Sequence, residues 1–115
     1  MFFNLDTGVT SPKGSSGLLV WRDDENLWFG EGSSIHSIRL NDFQLKRFCS
    51  LLDRAYSSTE YVDQDHSNGL YLAMEAEDEG HRNLCLIATS MNMTYTVQVK
   101  HLKSFSEFLR NEIKL

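Results

Sequence analysis

The residues best equipped for chemistry in this chain are acidic groups and histidines, and two segments gather them. Asp63, Asp65 and Ser67 begin with the alternate spacing of a calcium loop, in which side-chain oxygens converge on a hard cation. Such a loop needs glycine at its sixth position and a bidentate glutamate at its twelfth. Asn68 and Met74 stand there instead, Gly69 comes one place late, and no helical pattern flanks the segment. Asp65 to Gly69 therefore reads as a turn with solvated charge. Glu77, Asp78, Glu79 and His81 could hold a metal only loosely, and they read as the soluble tip of a hairpin. No metal and no cofactor is expected.

Nucleophilic chemistry has as little support. His36, His66, His81 and His101 share no ligand spacing, and no serine or cysteine is tied to one of them by sequence. Cys49 falls inside a helical apolar pattern and Cys85 lies far from it, so both read as buried free thiols of a reducing compartment. Lys13-Gly14-Ser15 has its lysine before the glycine, the reverse of a phosphate-binding loop. The chain is expected to be non-enzymatic.

What remains is binding. Trp28 and Arg39 alternate with apolar neighbours along strand-like stretches, Tyr71 and Lys100 are their counterparts further on, and Lys13 lies in a loop. Aromatic and basic side chains on one sheet face can stack on unpaired bases and neutralise phosphates. The same face, without the cations, would suit a protein partner. The formal charge of −5 opposes a broad hold on nucleic acid or an anionic membrane. Residues 1–58 carry six basic and seven acidic groups against five and nine in residues 59–115, so a polyanion surface would fall on the first half.

The elements that must position these residues are organised around Ser37 to Tyr56, a strand that turns into a helix. Ile38 and Leu40 share a strand face, Asn41 or Asp42 is a candidate N-cap, and Leu45, Phe48, Leu51, Leu52 and Ala55 recur at helical spacing. Thr96 to Lys114 repeats the pattern with Val97, Val99, Leu102, Phe105, Phe108, Leu109 and Ile113. Before the first helix, Phe2 to Val9, Gly17 to Arg22, Asn26 to Gly30 and Ile35 to Leu40 read as strands. Before the second, Thr59 to Asp63, Leu70 to Ala76, Leu84 to Thr89 and Met93 to Lys100 do so. The expected fold is α+β and internally duplicated: two antiparallel four-stranded sheets each followed by a helix, ββββα-ββββα. A single domain spans residues 1–115, with half-repeats of about 1–58 and 59–115.

This order resembles the Whirly family of single-stranded-DNA-binding transcription regulators and small cyanobacterial proteins of Whirly-like fold. The likeness rests on IRLNDFQLKRFCSLL, Ile38 to Leu52, on LYLAMEAE, Leu70 to Glu77, and on KGSSGLL, Lys13 to Leu19. In the last of these Lys13, Gly14 and Leu18 fall in step with the family's KGKAAL signature, and Ser15 replaces its second lysine. The resemblance implies contact with single-stranded DNA or RNA, the alternative being an adaptor that binds a protein through the same face. Met1 to Thr10 has neither the basic flank nor the apolar length of a leader or membrane span, so a cytoplasmic, non-membrane protein is expected.

Overall fold

The computed structural model describes residues 1–57, 63–67, 70–88 and 91–113. Strands β1 (Phe2–Asn4), β2 (Val9–Ser11), β3 (Leu19–Asp23), β4 (Asn26–Glu31) and β5 (Ser34–Arg39) precede helix α1 (Asp42–Ser57). Strands β6 (Asp63–Ser67), β7 (Leu70–Asp78), β8 (His81–Ala88) and β9 (Met91–Gln98) precede helix α2 (Val99–Ile113). The first sheet has the order β2-β1-β3-β4-β5 and the second β6-β7-β8-β9, antiparallel throughout.

The fold is α+β, but the expected pair of four-stranded sheets is wrong, because five strands come before α1. Phe2 to Val9 is not one strand. Asn4 folds it into a hairpin: its Oδ1 accepts the N–H groups of Asp6 and Thr7 at 2.8 and 3.1 Å, and its carbonyl accepts that of Gly8 at 2.7 Å. Gly8 takes φ 72°, a left-handed conformation open to glycine. The two halves therefore do not match strand for strand, and duplication gains no support from the topology.

Two boundaries in the second half also move. Asp65 to Ser67 is not a turn but part of β6, paired with Leu70 to Leu72; Thr59 to Val62, Asn68 and Gly69 lie outside the described residues. Strand β9 ends at Gln98, opposite His81. Beyond it the neighbouring strand has turned away at Gly80, whose carbonyl accepts the Val99 N–H at 2.9 Å, and with no ladder left to join the chain coils into α2.

Helix α1 forms as its sequence dictates. Asn41 Oδ1 accepts the Gln44 N–H at 2.8 Å while Gln44 Oε1 accepts the Asn41 N–H at 3.0 Å, a reciprocal capping box. One core joins both sheets and both helices: Phe3, Val20, Leu27, Phe29 and Ile38 meet Leu45, Phe48, Leu52, Leu102, Phe105, Leu109, Met74, Leu84 and Val97. Helix α2 follows the second sheet yet lays Phe105 and Phe108 on Phe3 of the first, at 5.2 and 5.6 Å between ring centroids. Phe29 and Tyr95 stack at 5.6 Å to join the sheets directly.

Candidate functional site

With Leu27, Phe29 and Val20 turned to the core, strand alternation sends Phe2, Leu19, Trp21, Trp28, Ile35, Ser37 and Arg39 to the other face of the first sheet. Trp21 pairs directly with Trp28 across β3 and β4, and the indoles lie parallel, 6.2 Å apart at an interplanar angle of 6°. Phe2 leans on Trp21 at 5.4 Å. The Trp21 ring also covers Gly30, where an added Cβ would stand 3.0 Å from Cζ3. The result is a continuous aromatic row across β1, β3 and β4.

At one end of the row a cleft of about 380 Å³ opens between Phe2, Leu19, Trp21 and Ile35, with Ser15 to Gly17 as its rim. Ile35 is 58 % exposed, the apolar lip of that cleft. The rim is held from below: Asn4 Nδ2 donates to Ser15 Oγ and to the Ser16 carbonyl at 3.0 and 2.9 Å, and Asp6 Oδ2 accepts the Leu18 N–H at 2.9 Å. Trp28 Nε1 is enclosed and has no acceptor among the described residues. An enclosed donor without an acceptor costs stability.

The electrostatics of the face are close to balanced. Arg39 is exposed on it, diagonal to Trp28, but its Nε and Nη2 bond Glu25 Oε2 at 3.2 and 3.1 Å. Arg22 turns inward to Asp42 on α1 at 3.2 Å. Lys13 is exposed in the loop beside Gly14, whose position lies over Leu19. Of the five expected contact residues, then, the structure brings Trp28 and Arg39 to one face of the first sheet and leaves Lys13 in the loop between β2 and β3. It does not bring Tyr71 or Lys100 to them. Tyr71 lies in β7, opposite Ile87, and Lys100 is exposed in the first turn of α2 rather than on a strand. Phe2 and Trp21 were missed, although the hairpin tip at Asp24 and Glu25 sets the register that puts Trp21 opposite Trp28.

Elsewhere, Cys49 and Asp78 are held by their surroundings. Burial pushes the Cys49 thiol up to about 11, beside the Ser106 carbonyl, so it is not a thiolate at neutral pH. At the β7–β8 tip the hydrogen bond from His81 Nδ1, at 2.9 Å, holds the Asp78 carboxyl below its usual range, and the Gly80 N–H adds to it. Among the described residues no three His, Cys, Asp or Glu side chains gather as metal ligands, and no helix is long and apolar enough to cross a membrane. Comparison of the chain with family models, curated proteins and solved structures finds no match.

Proposed function

We propose that this chain is a non-enzymatic binding protein that grips a protein partner through the outer face of its five-stranded sheet. The carrying observation is the row Phe2, Trp21, Trp28 running into the cleft at Ile35, on a face whose arginine is occupied by Glu25. Aromatic side chains in a shallow apolar cleft, rimmed by polar groups, are the composition of protein interfaces. The net charge of −5 weighs the same way, and no cationic side chain among the described residues lines the cleft.

A second reading, single-stranded nucleic acid as in Whirly-like proteins, draws on the parallel Trp21 and Trp28 rings with Arg39 diagonal to Trp28 on the same face, and on Lys13 in the loop before β3. The two readings separate in one experiment. The protein is immobilised in native cell extract beside Trp28→Ala and Lys103→Ala variants, and labelled single-stranded DNA and RNA are titrated in parallel by fluorescence anisotropy at low salt. The protein reading expects a polypeptide retained by wild type and Lys103→Ala and lost by Trp28→Ala. Micromolar oligonucleotide binding that weakens with salt, and weakens further in Trp28→Ala, would replace it with the nucleic-acid reading.

A further inference from the structure

The edges of the first sheet differ. Strand β2 is three residues long and is followed at once by Pro12, which cannot donate to a further strand. Strand β5 is six residues, Ser34–Arg39, with no proline, no bulge and, among the described residues, β4 alone as its neighbour. Its hydrogen-bonding phase follows from Leu40, whose N–H donates to the Glu25 carbonyl at 2.8 Å. Antiparallel strands alternate bonded and non-bonded pairs, so Ile38, His36 and Ser34 also bond β4. The N–H and C=O groups of Ile35, Ser37 and Arg39 then point to the open edge.

Beside that edge the two sheets leave a cleft of about 260 Å³ between Ser34 and His36 on one wall and Asn92 to Tyr95 of β9 on the other. Glu31 lines it and has no cationic partner among the described residues. Its negative charge reaches Tyr95, whose hydroxyl is held above its ordinary range first by burial and then by Glu31. On the opposite face of β5, Ile35 continues the apolar lip of the aromatic row.

We propose that the partner enters as an extended polypeptide segment adding an antiparallel sixth strand along β5, cationic side chains turned to Glu31 and alternate apolar ones to Ile35. The proposal rests on the reading of this face as a protein-binding one and names what it binds. A row of alternating N–H and C=O groups is complemented by another polypeptide backbone, which excludes a nucleic acid from this position. Strand alternation supplies the rest: residues opposite Ser34 and His36 meet the Glu31 side, and those opposite Ile35 and Ser37 meet the apolar side.

The test uses the full chain, labelled with ¹⁵N, and a capped hexapeptide of alternating lysine and valine. Amides of Ile35, Ser37 and Arg39 are expected to shift and to exchange severalfold more slowly at millimolar peptide. N-methylation of the valines, whose N–H groups would face β5, should abolish the effect, and N-methylation of the lysines should not. A glutamate–valine peptide should bind more weakly, and Ser37→Pro, shown folded by circular dichroism, should not respond. Unchanged exchange at the three amides, or an equal response to the valine-methylated peptide, overturns the proposal. Should Ser37→Pro still retain a Trp28-dependent polypeptide from extract, the edge proposal falls while the aromatic face stands.

Discussion

His101 Nδ1 lies 2.9 Å from the Leu5 carbonyl oxygen and joins the first turn of α2 to the β1–β2 turn across 96 positions of chain. A carbonyl can only accept, so the imidazole carries its proton on Nδ1. Gly8 sits against the same ring, where an added Cβ would stand 2.6 Å from Cδ2. Removing the imidazole by His101→Ala leaves a buried carbonyl without this donor and is expected to cost about 1–3 kcal/mol in urea unfolding. Gly8→Ala should destabilise more in the wild type than in the His101→Ala background, because the smaller residue removes the clash and leaves only the strained φ. Equal costs in the two backgrounds would show that ring and turn do not touch in solution.

Between the helices, two contacts of very different worth lie side by side. Phe105 is fully buried and stacks on Phe3 and, edge-on, on Phe48. Phe105→Ala should cost about 3–5 kcal/mol. Asp53 accepts from Ser106 Oγ at 2.8 Å and pairs with Arg110, but both charged side chains are about half exposed. Solvent screening limits Asp53→Ala to about 1 kcal/mol or less, with a loss that shrinks as salt is added. Denaturant midpoints of the two variants check the ranking.

The capping box at Asn41 predicts a graded series. Asn41→Ala removes an acceptor for the Gln44 N–H and should cost about 1 kcal/mol, whereas Asn41→Asp or Asn41→Ser should retain most of it. Thermal unfolding followed by circular dichroism distinguishes them. A neutral alanine variant would place the start of α1 elsewhere.

Cys49 gives the pH dependence. Its thiol rises from 9.0 to about 11 on folding, chiefly through burial, so above pH 9 the unfolded chain releases a proton that the folded chain keeps. The associated stability is complete below the unfolded value and is lost as pH climbs from there through the folded one. Cys49→Ala should flatten that alkaline decline in urea midpoints. At about pH 8 a thiol reagent should modify the half-buried Cys85 first and reach Cys49 only on unfolding.

Which parts of this molecule are legible in the sequence follows from the range of the forces involved. Helix α1, with Asn41 and Gln44 at its start and Phe48, Leu51 and Leu52 on its stripe, is written in residues three and four apart, and the structure places it as read. The tip between β3 and β4 is similarly local, and it puts Trp28 on the face where alternation expects it. Lys100 was misplaced because a strand persists only while a neighbour offers hydrogen bonds, and β9 loses its neighbour at Gly80, far from Lys100 in sequence. Arg82 hides the start of β8 for a similar reason: it is 1 % exposed, its Nη1 bonded to the Asp78 and His81 carbonyls at 2.9 Å, a burial no apolar pattern announces. Local hydrogen bonds and periodicity thus determined the helices, the central hairpin and most of the core residues. The Asn4 turn that makes the fifth strand is local as well, held by bonds to Asp6, Thr7 and Gly8. Only tertiary structure decided the packing of α2 on Phe3 and the meeting of Phe2, Trp21 and Ile35 beside Trp28. Each of these is a contact whose partner lies on another element, so its energy exists only once the sheets have closed.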